Sequence, residues 1–338
     1  MAQGHELPPP FAMMQMITGY WVSQIVGALA RLDVADSIAA GHTSVPQIAE
    51  RAKADPDAMG RLLRAAASLG VVKRDAEGRF STTPLGDTLR SAVPGSMRDM
   101  AIAQTAPGHW LPYGQLAEAV RTGARRTNAT LGKELFDHYA ASPDEGRAFD
   151  GAMADFSAAL APALAGAVEL PAKARVADVG GSLGPLLSAV LRANPGTSGV
   201  LLDLAPTIVR AKERFEASGL ADRVELVAGD FFVSVPEADA YLLKNILHDW
   251  DDAQCVRLLE NCARSLRPGG RVLVFELVLP ETDQPGLPPL MDMTMLVVTT
   301  GRERTQAEYA KLFEAAGLKL ARAIPTKSPF TVLEATKA

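Results

Sequence analysis

Residues 174–184 read ARVADVGGSLG, a short apolar run that leads into a glycine-rich turn. The apolar run has the length and composition of a buried β-strand, and it ends at Asp178. Glycines at this place let the backbone of the turn approach a ligand closely. They also open the following helix, whose first N–H groups attract polar or anionic groups. We therefore expect a ligand site at the end of this strand.

The chain after this turn alternates strands with helices. The further predicted strands are GVLLDL (199–204), RVELVAG (223–229), ADAYLLKN (238–245), GRVLVFEL (270–277), LKLARAIP (318–325) and FTVLEAT (330–336). Such alternation predicts a parallel sheet covered by helices on both faces. The short link Thr326–Pro329 suits a hairpin, which would add one antiparallel strand at the edge. The prediction is an α/β, Rossmann-like fold with a mostly parallel seven-stranded sheet.

The chain before residue 173 has a helical, alanine-rich and leucine-rich texture. Phe11–Leu32 is apolar on nearly every face of a helix, so we expect it to be buried on all sides, against a second chain. Two amphipathic helices, near 45–52 and 56–69, precede VVKRDAEGRFSTT, whose Asp75–Gly78 turn reads as a hairpin. Two helices and a hairpin predict a winged helix.

A winged helix serves either to read DNA or to dimerise and cover a pocket. Residues 1–100 hold 10 Lys+Arg and 10 Asp+Glu, whereas a groove-reading domain normally carries a basic face. We therefore expect a homodimerisation domain over 1–100, a helical linker over 101–172 that lines an acceptor pocket, and a ligand-binding domain over 173–338. A ligand-responsive transcription regulator stays as an alternative.

Composition limits the class of protein. The 338 residues are 48% hydrophobic and 22% charged, with a formal net charge of −5, which is typical of a folded protein and argues against nucleic acid or an anionic membrane as a partner. We see neither a secretory leader nor a membrane span and expect a cytoplasmic protein. Cys255 and Cys262 are too far apart along a helix for a disulfide, so we expect buried thiols.

Acidic residues stand at the ends of three consecutive strands. Asp178 ends the first, Asp203 the second, and Asp230 with Phe231 follows the third. An acid at the second strand suits ribose hydroxyls, a carboxylate beside an aromatic ring suits adenine, and Asp178 suits an ammonium group. Together they predict a site for a nucleoside that carries an ammonium group.

The glycine turn does not match a dinucleotide fingerprint. A G-x-G-x-x-G motif that starts at Gly180 would need glycines where Ser182 and Pro185 stand. Pyrophosphate binding is therefore not supported, and an NAD-dependent oxidoreductase is the weakest alternative.

The fourth strand runs into KNILHDWDD (244–252), which places His248 at the ligand edge of the sheet. Glu276 ends the fifth strand and Glu303 lies in GRERT (301–305). A carboxylate that fixes the tautomer of an imidazole and stabilises its protonated form makes it a better base. The alternative for Glu303 is a helix cap or a surface ion pair. A structural role is expected for the other histidines, His5, His42, His109 and His138.

These segments together resemble a known family. DVGGSLG, DLAP, GDFF, KNILHDWDD, FELVLP, MDMTML and GRERT are similar, in order and spacing, to class I S-adenosylmethionine-dependent O-methyltransferases. Within that class the segments resemble the caffeic acid and hydroxyneurosporene O-methyltransferases, a group that includes bacterial enzymes that tailor aromatic antibiotics. The likeness also covers the N-terminal dimerisation region. This sequence departs from the family at Ser182, where glycine is frequent, and at Ala205, which interrupts Asp-Leu-Pro.

The resemblance implies roles for individual residues. Cofactor contacts are implied for Asp178, Gly180, Gly181, Gly184, Asp203, Leu204, Gly229, Asp230, Phe231, Phe232, Lys244 and Trp250. His248 matches the catalytic base, with Asp249 beside it and Glu276 and Glu303 flanking it. Six residues are expected to line the acceptor pocket: Trp110, Phe149, Met153, Met291, Asp292 and Met295. For some of them the expectation rests only on the aromatic and methionine content of the helical stretch.

The predicted reaction is in-line transfer of a methyl group from S-adenosylmethionine to a hydroxyl of an aromatic or polyketide-like molecule, which leaves S-adenosylhomocysteine. Proton transfer from a phenol to an ordinary histidine is uphill by about 5 kcal/mol, and a carboxylate behind His248 would narrow that gap. We expect no metal, since neither an acid cluster of the catechol type nor a Cys/His ligand set is visible. A relative that binds the cofactor and carries out non-methylating chemistry is the main alternative.

Overall fold

The computed structural model describes residues 7–91, 93–282 and 284–338. Residues 1–6 lie outside these ranges. They include His5 and the start of the N-terminal stretch in which we expect no secretory leader. The chain forms two compact units, one that runs up to Trp110 and includes Pro143–Ala152, and one made of Leu111–Ser142 and Met153–Ala338. The domain boundaries expected at residues 100 and 172 divide the chain by function rather than by compactness, and they stay a prediction. Within the described ranges no helix is long and apolar enough to cross a membrane.

Helices and one hairpin precede the main sheet. The helices are α1 (Pro9–Ile17), α2 (Gly19–Arg31), α3 (Val34–Ala39), α4 (Val45–Ala52), α5 (Pro56–Ser68), α6 (Pro84–Asp87), α7 (Arg98–Gln104), α8 (Pro107–Tyr113), α9 (Leu116–Thr122), α10 (Thr127–Leu131), α11 (Leu135–Ala141) and α12 (Pro143–Ala165). Strands β1 (Val72–Arg74) and β2 (Phe80–Thr82) pair antiparallel. The helix, helix and hairpin expected for a winged helix are thus present, and Asp55 caps α5 by accepting a hydrogen bond from the Ala58 N–H.

The apolar N-terminal segment forms two helices where one was expected. It is broken at Thr18 into α1 and α2, and within one chain it is not buried on all sides. Phe11, Met16 and Trp21 are 65%, 75% and 56% exposed. The opposite side of α2 does reach the core of the first unit through Leu29. A contiguous apolar surface of this kind marks an interaction site.

The second unit contains a seven-stranded sheet. Its strands are β3 (Arg175–Val179), β4 (Ser198–Asp203), β5 (Val224–Ala228), β6 (Ala238–Lys244), β7 (Leu266–Glu276), β8 (Leu318–Pro325) and β9 (Thr331–Lys337). They lie in the order β5-β4-β3-β6-β7-β9-β8. All neighbouring pairs from β5 to β7 are parallel, whereas β9 runs antiparallel to both β7 and β8. The predicted mixed sheet is confirmed, although the antiparallel strand lies one place in from the edge, because the second arm of the hairpin pairs with β7.

Helices cover both faces of this sheet. They are α13 (Pro185–Ala193), α14 (Ala205–Ser218), α15 (Asp252–Ser265), α16 (Leu287–Val298) and α17 (Gln306–Ala315). One core cluster contains Tyr241 and Phe313 and the other contains Phe215 and Phe275. Cys255 and Cys262 are buried free thiols on α15, as predicted.

The strand order fixes where a ligand would bind. The chain runs outward from β3 to β4 and β5, and then returns to the other side of β3 as β6. This reversal opens a crevice at the carboxyl ends of β3 and β6, which is the usual ligand position in such sheets.

Candidate active site

The turn after β3, Gly180–Gly184, is here called the glycine turn. Gly180 and Gly184 adopt φ angles of 67° and 74°, which glycine tolerates without strain. A Cβ atom on Gly181 would lie 2.4 Å from Cγ of Asp178, and one on Gly184 would lie 2.4 Å from the ring of Phe215. The turn is therefore packed so closely against its own strand and α14 that Gly181 and Gly184 leave no room for a side chain.

Two buried oxygens at this turn have no hydrogen-bond partner among the described residues, Oδ2 of Asp178 and Oγ of Ser182. The pKa of Asp178 is raised to about 7, chiefly by burial and also by the charge of Asp203, while a backbone N–H and Lys244 act in the opposite direction. Native structures rarely leave buried polar atoms unsatisfied. The two oxygens are therefore available to a polar ligand at the glycine turn.

The acids at the next two strand ends are held by the backbone. Oδ2 of Asp203 accepts a hydrogen bond from the Ser182 N–H at 2.8 Å, and Oδ1 accepts one from the Leu204 N–H at 2.7 Å. Asp230, which follows Gly229, accepts one from the Phe232 N–H at 2.8 Å. Because a carboxylate oxygen has two lone pairs, these side chains keep acceptor capacity while their orientation is fixed.

An aromatic cluster lies beside Asp230. The ring of Trp250 is 6.0 Å from that of Phe231 and 4.8 Å from that of Phe232, in edge-to-face contact with both. Phe136 of α11 stacks on Trp250 with centroids 6.2 Å apart. The Asn261 side chain of α15 donates a hydrogen bond to the Phe231 carbonyl at 2.8 Å, a contact that the sequence analysis missed.

Lys244 ends β6 between two aromatic rings. Its Nζ lies 5.5 Å from the ring centroid of Phe156 and 5.2 Å from that of Phe330. Burial lowers the pKa of Lys244 to about 8, against the attraction of Glu276 and Asp178. The charge of Lys244 thus interacts with Asp178, behind the glycine turn, and with Glu276 of the predicted catalytic set.

The segment after β6, Asn245–Asp252, is here called the histidine turn. Asn245 takes a left-handed φ of 53° and leads into a 3₁₀ turn that carries His248. Nδ1 of His248 lies 2.8 Å from Oε1 of Glu303 and 3.8 Å from Oε2 of Glu276, and Nε2 lies 3.7 Å from Oδ1 of Asp249. The fold therefore brings together the four residues predicted to be catalytic.

Glu276 and Glu303 are 0% and 1% exposed, so Glu303 does not form a surface ion pair. Oε1 of Glu276 accepts hydrogen bonds from the N–H groups of Ile246 and Leu247, at 3.1 and 3.0 Å. Oε2 of each glutamate is buried without a hydrogen-bond partner in the described part of the chain.

Charge in this cluster changes the titration of its members. Burial alone would lower the pKa of His248, but Glu276, Asp249 and Glu303 together raise it to about 10. Burial raises the pKa of Glu276 to about 7, and burial also raises that of Asp249. The cluster therefore holds protons more tightly than its isolated groups would.

The same cluster also has the spacing of a possible set of metal ligands. His248, Glu276 and Glu303 each offer a ligand atom, and these atoms lie within 4.8 Å of one another. The sequence pattern predicts these three residues to lie together as a base with flanking acids, and the expectation of no metal stays a prediction. In this structure Nδ1 of His248 is already bonded to Glu303.

The GRERT loop, residues 301–305, packs directly against the histidine turn. A Cβ on Gly301 would lie 2.0 Å from the His248 carbonyl oxygen and 2.4 Å from the Trp250 nitrogen. Arg304 is 1% exposed and donates hydrogen bonds to backbone carbonyls of the histidine turn and to Asp252. The sequence analysis assigned a role to Glu303 alone; the alternating charges of the loop were a signal, but the distant partners were not visible.

The residues expected to line an acceptor pocket fall in both units. Trp110 and Phe149 belong to the first unit, whereas Met153, Met291, Asp292 and Met295 belong to the second. Oδ1 of Asp292 accepts a hydrogen bond from the Glu303 N–H at 2.9 Å, so this side chain holds the GRERT loop. In the first unit His109 stacks on Phe149, and burial lowers the pKa of His109 to about 4.

Known proteins share this sequence and fold. Residues 113–319 match the O-methyltransferase domain family and residues 14–91 match the O-methyltransferase dimerisation domain. Phenazine O-methyltransferase of Lysobacter antibioticus is 37% identical over 97% of this chain and 96% of its own. The 8-amino-8-demethylriboflavin N,N-dimethyltransferase of Streptomyces davaonensis is 35% identical over 93% and 91%.

A solved structure of similar fold contains bound ligands. It is an O-methyltransferase from neocarzinostatin biosynthesis in complex with S-adenosylmethionine and 2-hydroxy-5-methyl naphthoic acid, 34% identical, with a TM-score of 0.80 over 94% of this chain and 96% of that one. Fold and sequence therefore agree over nearly the whole chain. The chain belongs to the O-methyltransferase family, whose members are S-adenosylmethionine-dependent enzymes.

Proposed function

We propose that this enzyme methylates a hydroxyl group of an aromatic or polyketide-like small molecule, with His248 as the general base. The observation that carries the proposal is the buried pair of His248 and Glu303, 2.8 Å apart. Family membership removes the oxidoreductase and the transcription regulator as alternatives. Relatives that act on phenazines support an aromatic acceptor, and the dimethyltransferase makes amines a class to test.

The residues at the strand ends fit S-adenosylmethionine. The unpartnered Oδ2 of Asp178 and Oγ of Ser182 suit the amino acid end of the cofactor, Asp203 suits the ribose, and Asp230 with Phe231 suits the adenine. When bound, the cofactor supplies a methyl group that its sulfonium charge has already activated. The protein therefore needs to orient the acceptor and to remove its proton.

Glu303 fixes the tautomer of His248 and raises its pKa, and both effects favour proton removal from the acceptor. Because Nδ1–H donates to Oε1 of Glu303, the lone pair of the neutral ring is on Nε2. The raised pKa, about 10, is close to that of a phenol, which is also about 10, so the uphill step expected for an ordinary histidine largely disappears. The base is active only when deprotonated, so turnover should rise with pH toward the pKa of His248.

The test is His248→Ala with His42→Ala as the matched histidine control. S-adenosylhomocysteine affinity, measured by calorimetry, should stay within about 3-fold, while turnover of a panel of aromatic hydroxyl acceptors should fall by about 10² to 10⁴, the usual contribution of a general base. Undiminished hydroxyl methylation by His248→Ala would contradict the assignment of the base. Cofactor binding without methylation of any hydroxyl or amine by the wild-type enzyme would favour the non-methylating alternative.

We also infer that the enzyme is a homodimer through α1 and α2. Support comes from the match to a dimerisation domain and from the exposed apolar side chains of Phe11, Met16 and Trp21. Sedimentation analysis should give twice the mass of the chain, and Trp21→Arg should shift it toward the monomer. Val209→Arg, at a residue that is 67% exposed on α14, is the control. A monomeric wild-type protein would contradict the inference.

A further inference from the structure

Arg304 is a buried arginine that bonds to the chain on both sides of His248. Its Nη1 donates a hydrogen bond to the Leu247 carbonyl at 3.0 Å, and its Nη2 donates one to the Trp250 carbonyl at 2.8 Å. Its Nε and Nη2 both donate to Oδ1 of Asp252, at 3.0 and 2.8 Å. One guanidinium therefore joins the residue before His248, a residue after it and the first residue of α15.

Burying a guanidinium is expensive in free energy, and an apolar side chain of similar volume is often as stabilising. The planar fork of arginine, however, fixes several acceptors in one geometry, whereas a lysine can bond to only some of them and an apolar side chain to none. The bonds of Arg304 fall on the backbone that carries His248. The arrangement thus favours a role in geometry over a role in stability.

The loop that carries Arg304 is itself held in place. The Glu303 N–H bonds to Asp292 on α16, and the Leu279 N–H bonds to the Arg304 carbonyl at 2.9 Å. Consecutive residues of this loop therefore act on two parts of the base. Glu303 holds the imidazole ring of His248, and Arg304 holds the backbone that presents it.

We propose that Arg304 and Asp252 form a clamp that keeps the His248 ring against Glu303, so that both are positioning residues for proton removal. The proposal rests on the proposed role of His248 as the base. The side chain of Asp252 is 56% exposed, so its substitution is compatible with folding.

The first test is Asp252→Asn, which weakens the acceptor of the clamp. Its kcat should fall about 10-fold, because small misplacements of a reacting group cost one to two orders of magnitude, while affinity for S-adenosylhomocysteine stays within about 3-fold. The rise of kcat with pH should move to lower pH, since a ring less firmly held among Glu303, Glu276 and Asp249 loses part of its raised pKa. Arg322→Gln, which breaks the ion pair with Glu334 at the sheet edge, is the control and should keep wild-type kcat.

A second variant separates positioning from folding. Arg304→Lys keeps the charge and should retain more kcat than Arg304→Met at a temperature well below both melting transitions. Equal loss in the two variants, or a lowered melting temperature with unchanged kcat in Asp252→Asn, would overturn the clamp. A rise in the dissociation constant of S-adenosylhomocysteine that matches the loss of kcat would also overturn it.

A double-mutant cycle distinguishes this proposal from the proposed function. If the clamp acts through His248, Asp252→Asn should have no further effect in a His248→Ala background. A further 10-fold loss in that background would refute the clamp and leave the base assignment intact. Wild-type turnover by His248→Ala alone would refute the base assignment, and the clamp with it.

Discussion

The glycine turn and the histidine turn lie at adjacent strand ends, yet they are shaped in different ways. The glycine turn takes its form from glycines that fit closely against Asp178 and Phe215, and its hydrogen-bond partner Asp203 is 21 residues away. The histidine turn takes its form from charged side chains up to 57 residues away, chiefly Glu276, Glu303 and Arg304. The turn expected to bind the cofactor is thus shaped mainly by its own glycines, whereas the turn that carries the proposed base is shaped by remote charged residues.

The largest expected effect is on the contact between the GRERT loop and the histidine turn. In Gly301→Ala the new Cβ would lie 2.0 Å from the His248 carbonyl oxygen, so the backbone that carries the base must move. We expect kcat to fall about 100-fold with little change in S-adenosylhomocysteine affinity. Gly196→Ala, whose Cβ would meet only ordinary contacts, is the control. Normal kcat in a folded Gly301→Ala enzyme would show that the two segments need not touch.

The matched change in the other turn should alter binding instead. In Gly181→Ala the Cβ would lie 2.4 Å from Cγ of Asp178, which displaces the turn from the cofactor. Loss of about 2 kcal/mol of polar contacts would raise the dissociation constant of S-adenosylhomocysteine about 30-fold. Calorimetry measures this, and kcat at saturating cofactor should change less. A kcat defect without a binding defect would remove the contrast between the two turns.

Glu303→Gln tests the electrostatic part of the histidine turn. The variant keeps the shape of the side chain but removes a charge that raises the pKa of His248, so the rise of kcat with pH should shift to lower pH. We expect a weaker base and about a 10-fold lower maximal kcat, since Glu276 and Asp249 still contribute. A pH profile that coincides with that of Glu314→Gln, an exposed control on α17, would argue against this coupling.

The smallest effect concerns stability at the glycine turn. The pKa of Asp178 is raised by burial from an ordinary 3.8 to about 7 in the folded protein, so the folded state binds more protons between these values and loses stability as pH rises through them. Asp178→Asn should flatten that decline. Melting temperatures of the protein without added cofactor, measured from pH 5 to 8, should converge at the acid end. Parallel curves would mean that Asp178 is not protonated by burial.

The sequence analysis was most successful where signals are local. Each strand of the sheet and the hairpin of the winged helix appear as short runs with their own turn residues. The position of β9 was missed because a hairpin link does not state which arm pairs with β7. The break at Thr18 between α1 and α2 was missed because the segments on both sides of it are apolar and helical.

The site divides in the same way. The strand-end acids follow from fold and position, whereas the partners of Arg304 and Asn261 depend on tertiary contacts about 30 to 57 residues apart. The bond between Asp292 and the Glu303 backbone was equally invisible, because a position on α16 says little about where a carboxylate oxygen points.

The contact of Trp250 with Phe231 and Phe232 also places an intrinsic fluorophore beside the proposed adenine site. The chain has three tryptophans, at positions 21, 110 and 250. With Trp21 and Trp110 replaced by phenylalanine, the remaining indole would emit from beside the proposed adenine site, and its fluorescence would follow occupancy of that site without any added label.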